Sequence, residues 1–312
     1  MNDLDRRTAE HLERQQYRIV GETGAVKLCH WMRQKLIYGR PCYKEEFYGI
    51  QCHRCMQMTP AVNACNFRCL FCWRYHGMTG LGDSKRLDPE DLLDRCLAEQ
   101  RLLVSGFKGD DRCDPSLWEE ARQPNQVAIS LSGEPTLYPE LGEFIALCKR
   151  RGMTTFLVTN GSVPKAIEGL SSLPTQLYVT VAAPNKELFE KLCVPQSARA
   201  WENLMETLRL LPSLSTRTVI RHTLVDGWNL GWEDEYAKLD RVADPMFIEP
   251  KGYVFVGDSR TRMRVSNMPS HASVREFSLR LAEMTSMALL GERVDSRVVV
   301  LGKKNAHLRV RE

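Results

Sequence analysis

Apolar and β-branched runs recur along the middle of the chain, separated by stretches with helical spacing. The runs are TPAVNA (59–64), QVAISLSG (126–133), TTFLVTNG (154–161), QLYVTVAAP (176–184), RTVIRHTLV (217–225) and PMFIEPKG (245–252). The stretches of helical character are 88–106, 139–151, 163–170, 185–193, 199–211 and 232–242. Such alternation predicts parallel strands joined by crossover helices. Six units are fewer than the eight of a closed barrel, so the pattern predicts a partial (βα)6 barrel, with a doubly wound open sheet as the alternative. Either fold places its site at the C-terminal ends of the strands. There the chain carries SGEP, TNG, AAP, DGWN and KGY. Outside this core, residues 5–20 have loose helical spacing among charges. Residues 271–289 read as an amphipathic helix opened by Ser270 or His271, and 296–304 as a last strand. The division expected is an N-terminal extension (1–57), the barrel (58–255) and a C-terminal extension (256–312).

Composition narrows the class. The 312 residues are 43% hydrophobic and 26% charged, which describes a globular chain and not a disordered one. The first residues are charged throughout, and no run reaches the ~20 apolar residues of a membrane span, so a cytoplasmic protein without membrane attachment is expected. A net charge of +4 is too small to diagnose nucleic-acid binding. Its distribution says more: six Lys/Arg against two acids lie between Lys27 and Arg54, and the tail KKNAHLRVRE adds four against one. These stretches are either solvated faces or contacts for an acidic partner.

Eleven cysteines in such a chain point to metal or redox chemistry and not to a disulfide framework. Seven fall between positions 29 and 72. Of the scattered four, Cys96, Cys148 and Cys193 lie in helix-like apolar patterns and read as inert core thiols. Cys65, Cys69 and Cys72 follow the first apolar run with the spacing Cys-x3-Cys-x2-Cys. Three thiolates on one loop can converge on one cofactor. Structural zinc sites use paired knuckles and four protein ligands, whereas three cysteines leave a coordination position free.

With CNFRCLFC and SGEP, the chain resembles the radical SAM superfamily. GRPCYKEEFYGI, HTLVDGWN and KGYVFVGDSRTRMRVSNMP make it similar to one branch, the archaeal-type tRNA 4-demethylwyosine synthases of wybutosine biosynthesis; the likeness runs from about Cys29 to about Phe277. The resemblance implies a radical-SAM barrel in which Cys65, Cys69 and Cys72 bind a 4Fe-4S cluster whose open iron chelates S-adenosylmethionine, with Phe71 shielding it. Ser132, Gly133 and Glu134 are expected to hold the ammonium group of S-adenosylmethionine. Asn160 and Thr180 are expected at its carboxylate and ribose, although Asn160 also fits a left-handed turn residue before Gly161.

The resemblance also implies the reaction of a carbon-carbon lyase: 1-methylguanosine beside the anticodon of tRNA-Phe is condensed with pyruvate to the tricyclic 4-demethylwyosine. Cys29, Cys42 and Cys55, spaced thirteen residues apart, match the extra cysteines of this branch and are expected to bind a second, auxiliary 4Fe-4S cluster. Either Cys52 or Cys55 could be the third ligand, and the equal spacing favours Cys55. Lys44 matches the family lysine that holds pyruvate as a Schiff base. Cluster and lysine are thus two anchors for one substrate. Lys251, Tyr253, Arg260 and Arg262 form a basic and aromatic patch for tRNA; its alternative is an arginine-bearing edge strand in solvent. The 312 residues hold no flavodoxin-like segment, so electrons are expected from an external flavodoxin or ferredoxin, and the resemblance implies a monomer. Two rival readings share parts of the pattern: a radical SAM activase acting on a protein, and a zinc-stabilised RNA-binding module.

Overall fold

The computed structural model describes residues 6–77 and 85–310. Position 5 of the predicted first helix and the last two residues of the basic tail lie outside the described residues. Ten strands form one sheet in the order β1-β2-β3-β4-β5-β6-β7-β8-β10-β9. They are β1 (Arg18–Val20), β2 (Gly24–Val26), β3 (Cys55–Thr59), β4 (Gln126–Ile129), β5 (Thr154–Thr159), β6 (Gln176–Thr180), β7 (Arg217–Leu224), β8 (Phe247–Gly252), β9 (Ala288–Arg293) and β10 (Val298–Gly302). From β3 to β8 every pairing is parallel and follows chain order. A doubly wound sheet reverses its order at a switch point, and this one does not. The six predicted strand-and-helix units are therefore present in sequence.

One prediction shifts. The first parallel strand is Cys55–Thr59 and not 59–64. Its side chains alternate, with Met56 and Met58 buried in the main core, and Pro60, which lacks an N–H, follows the last paired residue. Cys, Gln and Met are weak strand formers, which hid the period. Two predicted helix starts are explained by their caps. The Asp88 side chain accepts from the amides of Glu90 and Asp91 to open the helix Pro89–Ser105, and Ser270 accepts from Ser273 to open His271–Thr285.

The sheet has two differently covered faces. Val179, Ile220 and Ile248 are neighbours in register and point into the core beneath the crossover helices. Val158, Tyr178, Val219 and Phe247, also neighbours in register, point the other way and pack on the helix Tyr43–Tyr48. Tyr43, Phe47 and Tyr48 are buried there, each such side chain contributing about 1.5–3 kcal/mol. The N-terminal segment thus covers the face that the crossover helices leave bare. The hairpin β1-β2 extends the sheet past β3, and β10 pairs with β8, so the first and last segments belong to the same sheet as the core. No helix among the described residues is long and apolar enough to cross a membrane.

Candidate active site

Parallel strands bring their C-terminal ends to one edge, and the predicted motifs meet there. After β3 the chain enters the loop bearing Cys65, Cys69 and Cys72, and Cys72 N donates to Cys69 O at 3.1 Å. All three thiols are partly accessible and close enough to interact. Burial, then the neighbouring Cys69, pushes Cys72 up to about 11. By contrast Cys96, Cys113, Cys148 and Cys193 are buried. Among the described residues, no group of His, Cys, Asp and Glu side chains is arranged to hold a single metal ion. The thiols of a 4Fe-4S cube sit on different irons, so such a cluster does not require that convergence.

The loop is locked to SGEP by close backbone approach. Glu134 N donates to Ala64 O at 2.7 Å, and Thr59 Oγ1 to Ser132 O at 2.5 Å. Gly133 has φ 74°, and a Cβ there would lie 1.8 Å from Ala61 O, so no other residue fits. Glu134 is buried, and burial raises its carboxyl above the ordinary value. Its Oε1 accepts from Thr136 N, Thr136 Oγ1 and Thr159 Oγ1, whereas among the described residues Oε2 accepts only from Asn160 N at 2.8 Å. Oε2 therefore keeps capacity for a further donor. Asn160 is held by its Nδ2 donating to Asn66 Oδ1 at 2.9 Å, which ties the β5 end to the cysteine loop. The left-handed turn residue is Gly161 (φ 71°) and not Asn160. Thr180 ends β6 opposite Arg221.

Tertiary structure alone assembles a second cluster of residues. Cys29 and Cys42 precede the helices His30–Tyr38 and Tyr43–Tyr48. Neither sulfur makes a formal capping hydrogen bond, yet unpaired amides at both helix starts favour a thiolate. Cys55 opens β3. The three thiols interact with one another, and burial first, then Cys29, raises Cys55. Cys52 is buried and lies behind Cys42: a hydrogen bond between the two thiols is the largest cause of a lowered Cys42 and a raised Cys52. The Cys52 amide donates to Glu45 at 2.9 Å. The Cys55 thiol is close enough to interact with both Cys29 and Lys44.

Lys44 points into the sheet. Its neighbours are paired elsewhere, Glu45 with Lys35 at 2.8 Å and Glu46 with Arg293. The Lys44 ammonium lies over the rings of Phe156 and Tyr178, 5.1 and 4.5 Å from their centroids. Burial, then the Arg221 guanidinium, lowers Lys44 to about 8. Period two places Thr180, Arg221, Glu249 and Lys251 on the same face as Tyr178. That face is apolar where the strands begin and charged where they end.

Reading the sequence set RHTLV (221–225) beside the adenine of S-adenosylmethionine, and missed Arg221 as a partner of Glu249, Tyr43 and Tyr48. Arg221 Nη2 donates to Glu249 and to Tyr43 Oη, both at 2.7 Å, and Tyr48 Oη donates to Glu249 at 2.5 Å. Against burial, Arg221 and then Lys44 hold the Glu249 carboxyl below its ordinary value. Arg221 Nε is buried without a hydrogen-bond partner among the described residues. The available signal was a charge in the middle of each of two apolar runs, Arg221 in RTVIRHTLV and Glu249 in PMFIEPKG.

The patch read for tRNA separates into two environments. Arg260 is exposed above the Phe255 ring. Arg262 donates to the carbonyls of Leu70 and Cys72 and so braces the cysteine loop. Tyr253 is buried, with its hydroxyl 2.8 Å from Ser259 Oγ. Lys251 donates to Ser296 O at 2.6 Å, and burial followed by Arg221 lowers it to about 7. Residues Gly257–Thr261 form a 3-10 turn, not an edge strand.

Comparison with known proteins agrees with this geometry. The Radical SAM superfamily model matches residues 116–239, and a model for wyosine base formation matches 242–303. The S-adenosyl-L-methionine-dependent tRNA 4-demethylwyosine synthase of Pyrococcus abyssi (strain GE5 / Orsay) is 44% identical over 306 residues, 96% of this chain and 89% of that protein. Its counterpart in Methanocaldococcus jannaschii is 38% identical over 94% of this chain and 95% of its own. A solved structure of TYW1 with a lysine-pyruvate adduct bound superposes with a TM-score of 0.89 at 37% identity, covering 96% of this chain and 97% of that one. A crystal structure of archaeal TYW1 gives 0.81 at 34%, with the same coverage. These likenesses set aside the protein-activase and zinc-module readings. Membership of the superfamily brings S-adenosylmethionine and a 4Fe-4S cluster, which the loop of three thiols fits. The chain belongs to the S-adenosyl-L-methionine-dependent tRNA 4-demethylwyosine synthases, the radical SAM enzymes that form the wyosine base of tRNA.

Proposed function

We propose that the enzyme condenses 1-methylguanosine, next to the anticodon of tRNA-Phe, with pyruvate to give 4-demethylwyosine. The observation that carries this reading is Lys44: an amine lowered to about 8, facing inward among Cys29, Cys42 and Cys55 and lying over two aromatic rings. A lysine so poised is free amine in part near neutrality and can attack the C2 carbonyl of pyruvate to form a Schiff base. Arg221 Nε is an unused donor for the pyruvate carboxylate on the same face. The solved TYW1 with a lysine-pyruvate adduct supports the assignment.

Cys65, Cys69 and Cys72 would ligate the 4Fe-4S cluster, and Ser132, Gly133, Glu134, Asn160 and Thr180 would hold S-adenosylmethionine, with Glu134 Oε2 accepting from its ammonium group. When bound, this pair supplies the 5'-deoxyadenosyl radical that takes a hydrogen atom from the N-methyl group of the base. Cys29, Cys42 and Cys55 would hold a second 4Fe-4S cluster with an iron free for the pyruvate oxygens. Cys52 would stay outside it as a hydrogen-bond partner of Cys42. Arg260, above the Phe255 ring, would meet tRNA phosphate, with the buried Tyr253 holding Ser259 of the same turn, while Arg262 keeps the cysteine loop in place; Lys251 would face the substrate pocket. The divisions 1–57, 58–255 and 256–312 are then functional: pyruvate anchor, radical source and tRNA surface within one sheet. An external flavodoxin or ferredoxin would supply electrons to a cytoplasmic monomer.

The reconstituted protein, incubated anaerobically with reductant, S-adenosylmethionine, pyruvate and tRNA-Phe carrying 1-methylguanosine, is expected to yield the tricyclic base by mass spectrometry. Cleavage of S-adenosylmethionine without any tricyclic product would overturn the substrate assignment.

A further inference from the structure

We propose that Cys69 and Cys193 form a modification site, a pair that a peroxide closes into a disulfide when the cluster is absent, withdrawing the middle thiol of the triplet. The register of two backbone segments places them together. Arg68 N donates to Val194 O at 3.1 Å, Leu70 N to Leu192 O at 2.9 Å and Gln196 N to Asn66 O at 3.0 Å, and Phe67 pairs antiparallel with Pro195. All three bonds obey one register, 66 with 196, 68 with 194 and 70 with 192. Residue 69, between the bonded residues 68 and 70, is therefore set beside 193, between the bonded residues 192 and 194. Disulfides span Cα separations of about 4.4–6.8 Å.

The side chains agree with the backbone, for the two thiols are close enough to interact. Cys69 is partly accessible and Cys193 is buried behind it, at 3% exposure. An oxidant entering from the cluster side thus meets Cys69 first. Helix-like spacing marks Cys193 as an inert core thiol, and its burial is real. Its position at the end of the helix Lys186–Cys193 nevertheless sets it against the cysteine loop.

The chemistry balances with one peroxide. The Cys69 thiol is oxidised to a sulfenic acid with release of one water. The Cys193 thiol then attacks that sulfur, the S–S bond forms, and a second water leaves. A dithiol reverses the reaction by exchange and is itself oxidised to a disulfide. The closed pair would shield Cys69 from irreversible oxidation and keep an incomplete site from taking up iron. This inference rests on the assignment of Cys69 as a cluster ligand.

The test treats the full-length, cluster-free protein with hydrogen peroxide, alkylates it and digests it with trypsin without reductant. The expected product joins the peptides Cys69–Arg74 and Leu192–Arg199, with Cys72 alkylated, and dithiothreitol separates them. Free Cys69, or Cys69 joined to Cys65 or Cys72, would overturn the pairing. Iron uptake is then measured in a Cys42→Ala background, where the triplet is the remaining cluster site. Linked protein is expected to take up almost no iron, and about four atoms per chain after dithiothreitol. A linked protein that loads its iron unreduced would instead overturn the ligand assignment of Cys69, with the pairing intact.

Discussion

Two sets of three cysteines sit in this molecule, built in opposite ways. Cys65, Cys69 and Cys72 share one loop after β3, and their spacing alone brings them together. Cys29, Cys42 and Cys55 come from two helix starts and a strand, and meet because the helix Tyr43–Tyr48 packs across the sheet on Val158, Tyr178, Val219 and Phe247. One site is a local motif; the other is a property of the finished fold. In the proposed function the local one serves a chemistry shared across a superfamily, and the assembled one a substrate particular to one branch.

The sharpest separation of the two comes from single ligand losses. Cys69→Ala is expected to abolish S-adenosylmethionine cleavage, measured as 5'-deoxyadenosine, and with it all tRNA product. Cys42→Ala should retain cleavage while losing the product. Equal loss of cleavage in both variants would show that the two sites do not divide the labour. Lys44→Ala comes next: borohydride with labelled pyruvate should trap no adduct, and S-adenosylmethionine cleavage should persist. In the wild type, adduct formation requires the free amine, so it should rise with pH and level off above about 8. An unperturbed lysine, near 10.4, would still be climbing there.

A smaller effect resolves the third auxiliary ligand. Cys55→Ala should lower the iron content from about eight to about four atoms per chain, whereas Cys52→Ala should keep about eight. The reverse outcome would transfer the ligand role to Cys52. Least of all, Arg260→Ala should weaken tRNA binding a few-fold and reduce its salt dependence by about one charge. A loss of S-adenosylmethionine cleavage in that variant would mean that Arg260, like Arg262, supports the cysteine loop.

The same contrast explains what could be read from the chain. Strands such as Thr154–Thr159 and Arg217–Leu224 carry their own period and punctuation, so the six parallel units were legible, as was the loop of three thiols. The helix Tyr43–Tyr48 was not. Its six residues hold too few turns to show amphipathic spacing, and its stability comes from tertiary packing. Arg221 and Glu249 were hidden for a related reason: each looks like a flaw in an apolar strand until register sets them side by side. Cys193 shows the converse, a residue whose local pattern is read correctly as core and whose position beside Cys69 is invisible without the fold.

The docking of Tyr43 against Glu249 joins positions 206 residues apart. At about 5–20 residues per second, a ribosome needs on the order of 10–40 s to deliver the second after the first. The nascent chain therefore exposes Cys29, Cys42 and Lys44 well before β7 and β8 exist to receive them. Completion of the proposed pyruvate anchor then reports that translation has passed the last parallel strand, and a truncated chain would carry the loop of three thiols without it.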